Sequence, residues 1–157
     1  MPMKVEVEKY KDYLNKLNGP LNLTVSFFVT WDKNYSLGHD NIITVNANGT
    51  VVYKTPAYVK DAPGATSGVI GTFKLENVKL RDAIKFSASI VEEDDFPDPY
   101  DDDGGTGAAT FTVEELVRQR RSFPLRPADG SDLTNTLILK VTEGVEDEPK
   151  LPAWRRL

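Results

Sequence analysis

Residues 92–103 read EEDDFPDPYDDD, eight carboxylates within twelve positions, and Gly104 and Gly105 follow them. Only Phe96, Pro97, Pro99 and Tyr100 interrupt the run. Closing such a segment into a loop forces like charges together, at a Coulomb cost that a bound cation would offset. The chain has no cysteine and a single histidine, His39, so its donors are hard oxygens that suit Ca²⁺ or Mg²⁺ rather than zinc or copper. The number and flexibility of the ligands favour Ca²⁺. Gly104 and Gly105 would let the backbone turn sharply and present carbonyl oxygens. An EF-hand does not fit: with its glycine at Gly104, Pro99 takes the first ligand position and Thr110 the last, where glutamate is required. The competing reading is a solvated acidic loop with no ligand.

That run dominates the charge of the whole molecule. The 157 residues carry 19 Lys/Arg against 24 Asp/Glu, a net charge of −5. Without the eight carboxylates, 19 basic face 16 acidic residues and the balance becomes +3. The acidity is one local element on a mildly basic body. No dense Lys/Arg stripe accompanies it, so nucleic acid is not an expected partner. An apolar share of 39% with 10% aromatics is that of a chain with a real core. The start, MPMKVEVEKYKDYL, has no apolar centre of the secretory kind, and no run approaches a membrane-spanning length. Catalysis is not expected. His39 stands without a nucleophile elbow, a phosphate-binding loop or a second histidine at metal spacing. Carboxylate pairs for glycoside hydrolysis, drawn from Glu92, Asp94, Glu114 or Glu115, are available in any acidic chain.

The elements around the run are β-strands. Leu21, Leu23, Val25, Phe27 and Val29 alternate on one face of residues 21–30, and Ile84, Phe86, Ala88 and Ile90 alternate on the strand that enters the acidic run. Asn48-Gly49 supplies the two positive-φ positions of a type I′ hairpin turn between β-rich arms. Residues 69–80 and 134–144 read as further strands, and YVKDAPGATSGV (58–69) as loop-like. Residues 108–123 begin as a strand and turn helical near Glu114, with Arg118 to Arg121 exposed. Residues 4–17 predict a short amphipathic helix through Tyr10, Tyr13, Leu14 and Leu17. The expected organisation is an N-terminal extension (1–20), one sandwich domain (21–144) and a tail (145–157).

Order and spacing of these segments resemble a C2 domain. Ala88-x-Ile90-x-Glu92-x-Asp94, then Asp101 and a glycine three positions on, is similar to that family's third calcium loop; HDNIITVNANGTVVYKT is similar to its first-loop aspartate, hairpin and Lys-Thr. The resemblance covers about residues 21–143. Glu92 stands where the family has aspartate, "DNI" where it has Asp-Pro-Tyr, and the third loop is one position longer. It implies an all-β fold, an antiparallel eight-stranded β-sandwich of C2-like Greek-key topology with one short helix or helical turn.

It also implies a calcium cage of Asp32, Asp40, Glu92, Asp94 and Asp101, with Trp31, Phe96 and Tyr100 dipping into a bilayer. The implied function is calcium-dependent docking on anionic phospholipid membranes from a cytoplasmic, membrane-peripheral location. Attraction to such a surface adds about 1 kcal/mol per well-placed basic residue once the acidic loop is neutralised. Two alternatives stand beside it. One is a protein-interaction or structural sandwich with a solvated acidic loop. The other is a calcium-braced carbohydrate-binding module with Trp31 or Tyr53 stacked on sugar rings. Trp31 is equally well read as a core residue.

Overall fold

The computed structural model describes residues 2–35, 40–55, 59–60, 68–92 and 102–145. A helix, α1 (Pro2–Asn18), precedes strands β1 (Leu21–Thr30), β2 (Asp40–Ala47), β3 (Thr50–Lys54), the two-residue β4 (Val59–Lys60), β5 (Gly71–Val78), β6 (Ala83–Glu92) and β7 (Asp102–Thr112). Helix α2 (Val113–Arg118) leads to β8 (Arg121–Leu125) and β9 (Asn135–Glu143). Two antiparallel sheets result, in the orders β5-β1-β9-β8 and β3-β2-β6-β7, with β4 added beside β2. Their inner faces meet in one core, which makes the fold the expected all-β sandwich of eight main strands.

The period-2 pattern does the positioning. Leu21, Leu23, Val25, Phe27 and Val29 on β1, and Ile84, Phe86, Ala88 and Ile90 on β6, are all buried and face one another across the core. Asn48 and Gly49 have φ of 50° and 83°, so the β2–β3 connection is the turn that their chemistry demands. The Asn48 side chain accepts from Lys85 N at 2.9 Å, which ties the hairpin to β6.

Helix α2 closes the sandwich at the end away from the acidic run. Thr112 and Glu115 form a reciprocal capping box, and Glu114 and Arg118 pair at 2.7 Å one turn apart. Val113 and Leu116 are the residues it buries. The helix ends before the arginine cluster does. Arg121 opens β8 and donates from Nε to the Glu115 carbonyl, so only Arg118 and Arg120 are exposed arginines of the helix and its connection. β8 is a strand that the sequence pattern hides. It lies at the edge of its sheet, where Pro124 loses no ladder bond.

Where β7 turns back over β8 the two backbones nearly touch. A Cβ on Gly107 would collide with the Pro124 carbonyl, and one on Gly105 with the Leu125 carbonyl. Thr106 and Arg126 exchange both backbone hydrogen bonds at 3.0 and 2.9 Å across this seam. The GGTG segment at 104–107 therefore serves close approach between the two sheets.

Candidate functional site

The strand register gathers one end of the sandwich. Thr30 pairs with Thr136, Leu125 with Asn135, Asn41 with Glu92, and Glu92 with Asp102. The β1–β2, β6–β7 and β8–β9 connections therefore emerge together. The acidic run departs from this end, and Glu92 and Asp102 stand directly opposite each other where it leaves and rejoins the sheet.

Asp40 is brought to the same end but in a different setting. It is one position out from Asn41, on the alternation opposite to that buried residue, and its register partner is Lys60 of β4. Glu92 follows the inward parity of Ile90 and faces Asn41. Asp94, Asp101, Phe96 and Tyr100 lie outside the described residues. Among the described residues, no group of three or more carboxylates or histidines is placed to hold a metal ion.

Asp32 has another occupation. Its Oδ1 accepts from Asn34 N and its Oδ2 from Thr134 N, both at 2.8 Å. The bond from Asn34 contributes most to holding its carboxyl below the ordinary carboxylate range, followed by that from Thr134; partial burial opposes them and nearby Lys33 assists. Asp32 N donates to Asn135 Oδ1 at 2.8 Å, and Asn135 Nδ2 donates to the Gly104 carbonyl at the same distance. Asp103, which sequence reasoning does not single out, does the equivalent job on the other side. It accepts from Gly105 N at 2.8 Å and Ala128 N at 2.9 Å. Two aspartates and one buried asparagine thus clamp the 126–134 connection to the first loop and to β7. The Gly104 carbonyl, expected to face a cation, is taken by Asn135.

Trp31 is corrected outright. It is 1% exposed and stacks on Tyr35 with ring centroids 5.8 Å apart and planes 11° from parallel. Tyr35 in turn donates its hydroxyl to Asn41 Oδ1 at 2.6 Å. The ring floors the loop end and has no surface to offer a bilayer. The apolar groups exposed near this end are instead Val91 (36%) and Val69 (64%), next to Glu92 and just ahead of β5. Alternation gives a signal for Val91, which is out of phase with the core-facing Ile90.

The clamp carries a pH-dependent expectation. Asp32 has a folded-state pKa below its unfolded value, so its contribution is present above the ordinary carboxylate range and is lost as pH falls through the lowered folded pKa. Asp32→Asn sets an amide donor against one of two backbone N–H groups and lowers Tm by a few degrees at neutral pH. Thermal melts from about pH 6 to about pH 3 should show the gap to the parent closing with acid. A gap that stays constant over that range removes the carboxylate from the account.

No protein-family model and no curated protein matches the chain. Among solved structures it is similar to human GIVD cytosolic phospholipase A2, at 15% identity over 84% of this chain with a TM-score of 0.48. It is also similar to a structure of a C2 domain (14% identity, 78% of this chain and 99% of that one, TM-score 0.44) and to a C2 domain of plant Extended Synaptotagmin 1 (14%, 82% and 98%, 0.46). The chain spans 18% of the phospholipase chain it matches. C2 domains, which the sequence resembles, are thus among the solved structures it is similar to, and the sandwich itself rests on the strand pairing above.

Proposed function

We propose that this chain is a C2-like module that docks on anionic phospholipid membranes with the end of the sandwich from which the acidic run departs, in a calcium-dependent manner. The observation that carries the reading is the register at that end: Asp40, Glu92 and Asp102 close three neighbouring strands, with Val91 exposed next to Glu92 and Val69 exposed ahead of β5 in the facing sheet. Asp40, Glu92, Asp94 and Asp101 are the proposed ligands, and Asp32 anchors the loop from which they are approached. Bound Ca²⁺ would supply charge neutralisation, letting lipid phosphate approach an otherwise repulsive loop. Val91 and Val69 would then meet the interface, with Phe96 and Tyr100 as further proposed contacts.

A second reading is favoured by the clamp. Asp32 and Asp103 spend their oxygens on backbone N–H groups, so some of the carboxylates at this end shape loops without any ion. On that reading the acidic run is solvated or serves a basic protein partner. Thermal unfolding in EDTA and in millimolar CaCl₂ separates the two, because a ligand of the folded state alone must raise Tm by mass action. The membrane reading expects a rise of several degrees that Asp94→Asn/Asp101→Asn abolishes, and calcium-dependent sedimentation with phosphatidylserine but not phosphatidylcholine vesicles. An unchanged Tm, with the double variant as stable as the parent, leaves the interaction domain.

A further inference from the structure

The chain contains two Asn-Gly pairs, Asn18-Gly19 and Asn48-Gly49. In such a pair the glycine nitrogen can attack the side-chain carbonyl carbon of the asparagine, since no Cβ shields it and the backbone around glycine turns freely. Both asparagines are exposed, so access to water does not separate them. The way each is held does. Asn48 N donates to the Lys85 carbonyl at 2.8 Å, and Asn48 Oδ1 accepts from Lys85 N at 2.9 Å. Both bonds lead into β6, an interior strand of its sheet, so the Asn48 side chain reaches Gly49 N only when the hairpin opens. Asn18 is the last residue of α1, and there Gly19 N donates to the Lys16 carbonyl at a long 3.3 Å. Pro20 brings no N–H and disfavours helical backbone at Gly19, so the helix stops at this point. Little packing holds that last turn. A cleft of about 680 Å³ lies between Tyr13, Leu14 and Leu17 of α1 and Val141 and Val145 of the sandwich, and Leu14 is 41% exposed. Helices draw most of their stability from a packed face, and an end without one frays.

We propose that Asn18 is a modification site, converting spontaneously to aspartate and isoaspartate, and that the fold protects the identical pair at Asn48. When the last turn of α1 opens, Gly19 N gives up its proton to base and bonds to Asn18 Cγ. The Cγ–Nδ2 bond breaks and ammonia leaves, closing a five-membered succinimide. Water then adds to either ring carbonyl, so the sum is one water consumed and one ammonia released, with no oxidant or cofactor. Opening at Cγ leaves aspartate. Opening at the backbone carbonyl leaves isoaspartate, whose main chain runs through Cβ and is one carbon longer. Either product puts a carboxylate at the C-terminal end of α1, where the unpaired carbonyls already concentrate negative potential. The last turn is thereby weakened, and isoaspartate also lengthens the Gly19-Pro20 connection between α1 and β1. The seat of α1 beside the sandwich is therefore limited in time, whatever calcium or lipid does at the other end.

The test is incubation of the full chain at mildly alkaline pH, followed by peptide mass mapping and isoaspartate-selective methylation. The peptide with Asn18 should gain the amide-to-acid mass difference several-fold faster than the peptide with Asn48. In urea above the unfolding midpoint the two rates should converge, because the dipeptide is the same and the hold is gone. Equal native rates, a faster Asn48, no native conversion of Asn18, or a gap that persists in urea each overturn the proposal. Gly19→Ala checks the route. A Cβ there meets only the Lys16 and Asn15 carbonyls at 3.7 and 3.8 Å, ordinary contact, so the variant keeps the fold. It should slow conversion at Asn18 several-fold, and an unchanged rate rules out attack by that nitrogen. Hydrogen exchange reads the consequence: amides of Lys16 and Leu17 should exchange several-fold faster in the converted protein than in the fresh one, with β1 unaffected. Unaltered exchange there removes the weakened turn, and with it the structural role of the site.

Discussion

Trp31→Ala should lower the stability of the fold by about 3–5 kcal/mol, the range for emptying a buried tryptophan site. The ring is 1% exposed and is among the largest fully buried side chains. Its removal also deprives Tyr35 of the stacking partner that holds its hydroxyl on Asn41. Each kcal/mol shifts Tm by roughly 2–4 °C for a chain of this length, so the midpoint should fall by roughly 6–20 °C. Trp31→Phe, which refills most of the volume, should recover more than half of the loss. An exposed membrane anchor behaves in the opposite way: alanine leaves the melt untouched and weakens vesicle binding. A Trp31→Ala protein with the parent's Tm would return the residue to the surface.

The second large effect is at Asn135. Its side chain, 0% exposed, accepts from Asp32 N and donates to the Gly104 carbonyl, joining the first loop, β9 and β7 at one point. Asn135→Leu keeps the volume and strands both backbone groups, at about 1–3 kcal/mol for each one left buried and unsatisfied. Urea denaturation should show this loss with an unchanged slope. Native-state hydrogen exchange should show amides at Asp32 and Thr134 opening before the core strands do. Asn135→Asp is no rescue, since it restores an acceptor for Asp32 but faces the Gly104 carbonyl with a second one. If Asn135→Leu unfolds at the parent's urea concentration, the junction contributes nothing.

What is legible in the sequence, and what is not, divides by the distance over which the cause acts. Alternation at 21–29 and 84–90, the Asn48-Gly49 turn and the amphipathic stripe of α1 are local patterns, and each becomes the expected element. β8 is not local. Arg121, Ser122, Phe123, Pro124 and Leu125 form a strand because β9 pairs with them, and the residues before them are good helix formers that mask the boundary. Trp31 and Asp32 read as loop-tip groups because their near neighbours in contact, Tyr35 and Asn34, leave no periodic pattern in the sequence. The other partners of Asp32, Thr134 and Asn135, are more than a hundred positions away. A carboxylate beside an acidic loop is read as a ligand until the backbone amides that occupy it are seen.

The close approach of β7 to β8 also bears on how copies of this chain behave together in solution. Open strand edges template the addition of a neighbour's strand, the first step toward fibrous aggregation. Here one side of the sandwich is shut by the Thr106–Arg126 pair, beside a proline that has no N–H to lend. On the other side, the Tyr53 hydroxyl donates to the Ile70 carbonyl at 3.3 Å, and its ring fills the space a side chain on Gly71 would need. Colloidal stability therefore does not hang on the repulsion of eight carboxylates alone. Salt or a cation that silences that charge leaves both flanks of the sandwich already stitched by the chain's own contacts.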